Sequence, residues 1–400
     1  MEKTIINGIK IATAAAGIKK VNHEDLTLFA IEAGSTMAGV FTQNAFCAAP
    51  VNICKQHLQQ FCSEKPFYLL INTGNANAGT GEQGYQDAIN CCSNLAKEMD
   101  TTIEQIFPYS TGVIGENLPS HKIISSLSNL KNNLAEDNWD KAAKAILTTD
   151  TVTKSAHKTI QLSERQIEIT GISKGSGMIR PDMATMLAYI ATDLAITKDD
   201  INQIIVKMAN ASFNRITVDG DTSTNDSCML IATGKSELTY ENLSVEDKSL
   251  FEQSLQEVFV DLAKAIILDG EGATKLINIV VHQGQSQQEC LDVAYTIAHS
   301  PLVKTAFFAS DPNWGRILAA IGRSGINNLD LNALEVFLDD VCIVNHGGKS
   351  DDYQEAKGQA VMNKDEITVT VNLHRGEFSE QLWTCDFSYD YVKINAEYRT

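Results

Sequence analysis

Ile367-Thr-Val-Thr-Val-Asn-Leu-His-Arg-Gly-Glu377 is followed shortly by Trp383-Thr-Cys-Asp-Phe-Ser-Tyr-Asp-Tyr391. In the first stretch Ile367, Val369, Val371 and Leu373 alternate with Thr368, Thr370 and Asn372, the period of a half-buried strand. In the second, Trp383, Cys385, Phe387, Tyr389 and Tyr391 alternate in the same way, and residues 374–377 between them carry turn signals. The two read as an antiparallel hairpin. Further upstream the period becomes helical. Ile89, Cys92, Ala96 and Met99 mark one amphipathic helix, and Leu255, Val258, Phe259, Leu262, Ala263 and Ile266 a second that ends at Asp269-Gly-Glu-Gly272. Phe67-Tyr-Leu-Leu-Ile-Asn72 reads as a buried strand ahead of a Gly/Asn-rich turn over residues 73–84. Helices combined with antiparallel hairpins predict an α+β fold built in layers, not a doubly wound parallel sheet.

The bulk of the chain narrows the function classes. Its 400 residues, 44% hydrophobic and 20% charged, suit a globular protein with one large core or two. A net charge of −18 repels phosphate backbones, so nucleic acid is not an expected partner. The start of the chain has no apolar signal core, and no stretch approaches the ~18 apolar residues of a membrane span, so a cytoplasmic protein is expected. Nine Cys without a CxxC pair read as reduced, mostly buried thiols. Eight dispersed His, with neither HxH nor HxxxH, leave a metal site unsupported.

The chemistry concentrates in Lys174-Gly-Ser-Gly-Met-Ile-Arg-Pro-Asp-Met-Ala-Thr-Met-Leu187. Gly175 and Gly177 permit unusual backbone angles and Pro181 fixes one. Thr185 follows the small Ala184. A Thr hydroxyl is a poor nucleophile, but breakage of the Ala184–Thr185 bond would give it a free α-amine as its own base. The run therefore suggests self-cleavage followed by acyl transfer, against the plainer reading of a glycine-rich turn entering a strand at residues 186–190. Ser110-Thr-Gly-Val-Ile-Gly115 can offer a hydroxyl and backbone N–H groups to an oxyanion, or be a simple turn. Gly79-Thr-Gly-Glu-Gln-Gly84 fits GxGxxG, with Asp100 as a ribose partner, but too far from the strand end for dinucleotide binding. Gly348-Lys-Ser350 lacks the upstream glycine of a P-loop. Asp219-Gly-Asp-Thr-Ser-Thr-Asn-Asp226 has no closing Glu for a Ca²⁺ loop and reads as a hydrogen-bonded turn beneath a site or a solvated loop. Glu271, between Gly270 and Gly272, has room to meet a substrate ammonium.

These segments together resemble the self-processing ornithine acetyltransferase / glutamate N-acetyltransferase family of arginine biosynthesis. The resemblance is carried by Asn72-Thr-Gly-Asn-Ala-Asn-Ala78, residues 110–115, Thr148-Thr-Asp150, residues 174–187, residues 212–226, residues 269–275, Ser310-Asp-Pro-Asn-Trp-Gly-Arg316 and Ile394-Asn-Ala-Glu-Tyr-Arg-Thr400. It implies a layered α/β sandwich of the DmpA/ArgJ-like type, with mixed and antiparallel strands flanked by helices. It implies self-cleavage between Ala184 and Thr185 into an α chain, 1–184, and a β chain, 185–400, which stay together as one intertwined unit, usually in an α2β2 assembly. Thr185 would take the acetyl group from N-acetylornithine and pass it to glutamate in a ping-pong reaction. Thr111 and Gly112 would form the oxyanion hole. Thr148, Lys174, Thr185, Glu271, Asn395 and Thr400 would contact substrate, with Thr149 the rival of Thr148. No metal or organic cofactor is implied. Acetyl-CoA as a second donor is left open, with a lean towards the bifunctional case. The alternative is an aminopeptidase or amidase of the same fold.

Overall fold

The alternation at Ile367–Leu373 does form a strand, but not half of a hairpin. In the computed structural model, which describes residues 5–19, 22–180 and 186–397, strand Leu276–Gly284 lies between the two expected partners. It pairs in parallel with Glu366–Asn372 and antiparallel with Phe378–Cys385. The expected turn instead crosses the end of the inserted strand. Leu373 N donates to His282 O at 3.0 Å, and Arg375 N and Gly376 N both donate to Gln283 O at 2.8 and 2.9 Å. The second stretch also departs from expectation beyond Cys385. Ser388 caps a helix, Tyr389–Ala396, accepting from Asp390 N, so Tyr389 and Tyr391 are helical. Asp386 ends the strand by accepting from Thr274 N and Lys275 N at 2.8 and 3.0 Å.

In chain order the strands are β1 (Ile9–Ala14), β2 (Leu26–Ile31), β3 (Thr36–Phe41), β4 (Phe67–Asn75) and β5 (Ile106–Val113). They continue with β6 (Lys154–Leu162), β7 (Arg165–Lys174), β8 (Leu187–Thr192), β9 (Ile216–Thr217) and β10 (Ser227–Ala232). The last six are β11 (Leu276–Gly284), β12 (Glu335–Leu338), β13 (Val341–Asn345), β14 (Gly348–Lys349), β15 (Glu366–Asn372) and β16 (Phe378–Cys385). The chain divides into two compact units.

The first unit comprises residues 1–175, 181–214 and 222–263. It holds a four-stranded sheet, β1-β2-β4-β5, and a five-stranded sheet, β3-β10-β8-β7-β6. β4 shows why they stack. Phe67, Leu69 and Ile71 join a core shared with Tyr189, Met229 and Ile231 of the second sheet, whereas Tyr68 and Leu70 pack against Cys92 and Leu95 of helix Gly81–Glu98. Alternate residues thus bury both faces of the strand, the pattern of an inner layer. Phe29, Tyr109 and Tyr189 meet between the sheets, with ring centroids 5.3–5.4 Å apart along Phe29–Tyr189 and Tyr109–Tyr189. Helix Lys198–Ala211 packs against β3 and β10. Leu262, on helix Val245–Leu268, sits where a side chain at Gly171 of β7 would have to go. The result is a layered α/β sandwich. β8 and β10 lie after residue 185, yet β10 is inserted between β3 and β8, so this sheet draws on both sides of the expected cut.

The second unit comprises residues 176–180, 215–221 and 264–400. Its seven-stranded mixed sheet runs β14-β13-β12-β15-β11-β16-β9. Ile277, Ile279 and Val281 of β11 and Ile367, Val369 and Val371 of β15 form its core, with Val293 and Ile297 of helix Gln287–Ala298. All nine cysteines are free, and six are buried. No helix of the described residues is long and apolar enough to cross a membrane.

Candidate active site

Strand register sets Lys174 at one end of the five-stranded sheet. Lys174 closes β7 opposite Leu187 at the start of β8, and Leu187 is opposite Ser227 at the start of β10. The β8–β10 pairing is parallel, and Ser227 N donates to Met186 O at 2.9 Å. Thr185, Ala184 and Thr400 lie outside the described residues.

Lys174 is largely buried, and its ammonium donates to Thr148 Oγ1 at 2.7 Å and to Thr111 Oγ1 at 3.3 Å. Three expected site residues from distant parts of the chain therefore meet. The Thr148 hydroxyl is the one that receives Lys174. Thr111 and Gly112 are not in a turn but inside β5, whose pairing with β4 shifts register at Gly74 and Asn75. Gly112 adopts φ +136°, and a Cβ there would overlap the backbone of Gly74 and Asn75. Only glycine fits this close approach of the two strands.

Asp150 organises this cluster, a role that the sequence reading did not give it. Its side chain is fully buried and accepts from Lys154 Nζ at 2.7 Å, from Gly175 N at 2.6 Å and from Thr148 N at 3.1 Å. Lys174 Nζ lies 3.8 Å away. Burial alone would raise the carboxyl's pKa. The Lys174 and Lys154 ammonium groups and the Gly175 N–H outweigh it and hold Asp150 below the ordinary carboxylate range. A single carboxylate thus fixes the loop that carries Thr148, the end of β7 and the first glycine after it. Asn225 adds a second tie, its side-chain amide donating to Ala76 O at 2.5 Å and Ser110 O at 2.9 Å. The signal for Asp150 was present in Thr148-Thr-Asp150, but an Asp reads the same in sequence whether solvated or buried.

Glu271 and Asn395 belong to the second unit. Glu271 is 8% exposed, and its Oε2 accepts from Asn395 Nδ2 at 2.8 Å. Its N–H donates to Ser176 O at 2.9 Å, within the Lys174–Leu187 run. The turn at Asp219 holds the same segment: its carboxylate accepts from Met178 N at 2.7 Å and Ile179 N at 3.0 Å. Of the two readings left open for residues 219–226, the hydrogen-bonded turn fits Asp219. The Tyr391 hydroxyl also donates to Asp219, and burial followed by the Asp219, Glu271 and Asp221 charges pushes its pKa up. Gly177 leaves space for Glu271, because a Cβ there would overlap the Glu271 carboxyl group. Gly177→Ala is expected to displace that carboxylate and weaken its bond with Asn395. Should Glu271 contact substrate, as the resemblance implies, KM rises about tenfold, because a tenfold change in binding corresponds to about 1.4 kcal/mol, close to what one charge-assisted hydrogen bond contributes. Steady-state kinetics with a melting curve of the variant check it.

The GxGxxG run opens helix Gly81–Glu98. At Gly84 a side chain would strike Asn77 Oδ1 and Thr80 Oγ1, and Asn77 Nδ2 donates to Gly84 O at 2.8 Å. These are packing contacts. Among the described residues, no group of three His, Cys, Asp or Glu is placed to hold a metal ion.

The ArgJ family model matches residues 10–400. A protein of Pseudomonas fluorescens named arginine biosynthesis bifunctional protein ArgJ is 53% identical over 398 residues, 99% of this chain and 97% of that one. A protein of the same name from Methylococcus capsulatus is 50% identical over 395 residues, 99% and 96% of the two chains. The crystal structure of an arginine biosynthesis bifunctional protein ArgJ from Bacillus halodurans is similar at 39% identity, with a TM-score of 0.48, over 51% of this chain and 95% of that one.

Proposed function

The chain belongs to the ArgJ family, and we propose that it moves the acetyl group of N-acetylornithine to glutamate through an acetyl ester on Thr185. The observation that carries this reading is the Lys174 ammonium donating to the Thr111 and Thr148 hydroxyls at 3.3 and 2.7 Å. Each hydroxyl accepts from Lys174, which leaves its own hydrogen free to donate. The Thr111 hydrogen then serves an oxyanion, with the Gly112 N–H as the second donor. Such a donor typically contributes about 10²–10³ in rate.

The precursor first cuts itself. Thr185 Oγ attacks the Ala184 carbonyl, the C–N bond breaks, and water opens the resulting ester. This frees the Thr185 α-amine. In turnover that amine takes the Thr185 hydroxyl proton as Oγ attacks the acetyl carbonyl. The proton then leaves on the ornithine nitrogen as the acetyl–nitrogen bond breaks. The glutamate amine attacks the ester and restores the Thr185 hydroxyl. Lys174 and Thr148 would take the substrate carboxylate, Glu271 and Asn395 the α-ammonium of ornithine as it leaves and of glutamate as it enters, and Thr400 a further polar group. Chains 1–184 and 185–400 remain together as α2β2 in the cytoplasm, and acetyl-CoA serves as a second donor. Neither metal nor organic cofactor enters any step.

Incubation with N-acetylornithine and glutamate tests the reaction. Equal amounts of ornithine and N-acetylglutamate are expected, with little free acetate. Acetate as the main product would replace this reading with an amidase. Acetyl-CoA with glutamate alone is expected to give N-acetylglutamate as well.

A further inference from the structure

A lysine and a cysteine meet at the start of helix Ala49–Gln60, and the chemistry above uses neither. Lys55 Nζ lies 3.7 Å from Cys47 Sγ. One backbone carbonyl holds both groups: the Cys47 thiol donates to Thr42 O at 3.9 Å and the Lys55 ammonium donates to it at 3.4 Å. The ammonium also stands 5.9 Å from the centre of the Phe41 ring. Thr42 is itself fixed, because its N–H donates to Asp226 O at 3.0 Å and its hydroxyl to Ser223 O at 2.8 Å. Amine and thiol are therefore kept side by side by a rigid part of the first unit.

The pair is open to reagents. Lys55 is exposed and Cys47 half-buried, and Phe46 between the loop and solvent is 64% exposed. A second pair makes the contrast. Lys304 Nζ lies 3.8 Å from Cys385 Sγ, but these residues are 1% and 0% exposed, so the same contact there is closed to a molecule from solution.

We propose that Cys47 and Lys55 form an acyl-relay site, in which the Cys47 thiol takes an acetyl group from an acyl thioester in solution and passes it to Lys55. The relay depends neither on a cut before Thr185 nor on an acetyl ester there. A thiolate is a strong nucleophile towards a thioester, and two groups already in contact react without the entropy loss of a fresh encounter. In the first step the Cys47 thiol loses its proton and its sulfur attacks the donor carbonyl. The donor's C–S bond breaks, and its own thiol leaves with a proton. In the second step the Lys55 ammonium gives one proton to water and its nitrogen attacks the new thioester. The Cys47 C–S bond breaks, and a proton from the nitrogen returns to the sulfur. The products are an Nε-acetyl group on Lys55 and a free Cys47 thiol, with no change of oxidation state.

The test is incubation of the full-length protein with millimolar acetyl-CoA, followed by peptide mass spectrometry. Peptide mapping separates this modification from acetyl groups elsewhere. Lys55 is expected to gain acetyl about tenfold faster than the exposed Lys97 and Lys198, and Lys304 to gain none. In Cys47→Ala the Lys55 rate should fall to that of Lys97 and Lys198. In Lys55→Arg, which keeps a cation beside Thr42 O, the acetyl group should remain on Cys47 as a thioester that hydroxylamine removes. Acetylation of Lys55 at an undiminished rate in Cys47→Ala overturns the proposal, since the amine then reacts directly. So does Lys55→Arg without acetyl on Cys47. Should Cys47→Ala lose its cooperative melting, the unsubstituted protein decides the matter. After acetyl-CoA is removed, thioester on Cys47 must decline as acetyl on Lys55 rises, and a decline without that rise is a contradiction.

Discussion

Thr185→Ala leaves a single chain of 400 residues with no measurable acetyl transfer. In the proposed mechanism the hydroxyl is required twice, to attack the Ala184 carbonyl and to carry the acetyl group. Without the first step the α-amine that serves as base is never released, so nucleophile and base are lost together. Removing a nucleophile that works as a unit with its base costs on the order of 10⁴–10⁶ in kcat. Thr185→Ser is the informative companion, because it keeps a hydroxyl and an α-amine while losing only the methyl group. It is expected to cut itself and to retain part of the activity. Denaturing electrophoresis and a transfer assay on both variants check the pair. An Ala variant that stays uncut yet transfers acetyl at a normal rate contradicts the mechanism.

Asp150→Ala has the largest expected effect on stability. The side chain is fully buried beside the equally buried Lys154 and close to Lys174. Removing one partner of a buried ion pair costs about 3–5 kcal/mol, since the remaining charge loses its compensation. Gly175 N and Thr148 N lose their acceptor at the same time. A fall in melting temperature on the order of 5–10 °C is expected, read by calorimetry. The pH dependence has a definite sign. The folded carboxyl lies below its ordinary range, where burial is outweighed by Lys174, Lys154 and the Gly175 N–H. Its stabilisation is therefore complete above the unfolded value, ~3.9, and fades as pH falls from there through the folded value. The gap between wild type and variant should be full at neutral pH and narrow on acidification below about pH 4. A gap that does not change with pH would mean that Asp150 acts by shape and not by charge. Activity falls as well, because Asp150 holds the ends of both segments that bring Thr148 and Lys174 together.

What could be read from sequence was local. The alternation at Ile367–Leu373 gave a strand, since a period of two is a property of neighbouring residues. Its partner was not legible. β11 lies some ninety residues upstream in the chain, and no feature of residues 374–377 distinguishes a hairpin turn from a crossing over another strand's end. Tyr389 and Tyr391 kept the strand period by coincidence, although Ser388 with Asp390 behind it was a helix-start signal. The site shows the same division. Thr111, Thr148 and Lys174 were named through resemblance, and hydrogen bonds from Lys174 join them. Asp150 escaped because its importance comes from burial, which the surrounding sequence does not encode locally. Gly177 looked like conformational freedom, and Gly112 like an oxyanion donor or part of a turn. Both are also clearances, one for the Glu271 carboxylate and one for a neighbouring strand.

The proposed intermediate is an acetyl ester on a newly made N-terminus. Intact-protein mass spectrometry after incubation with N-acetylornithine, without glutamate, tests it directly. Two chains are expected, the second beginning at Thr185 and heavier by one acetyl group, which glutamate then removes. An active preparation that contains only the uncut chain, or an acetyl group that glutamate cannot remove, would contradict it.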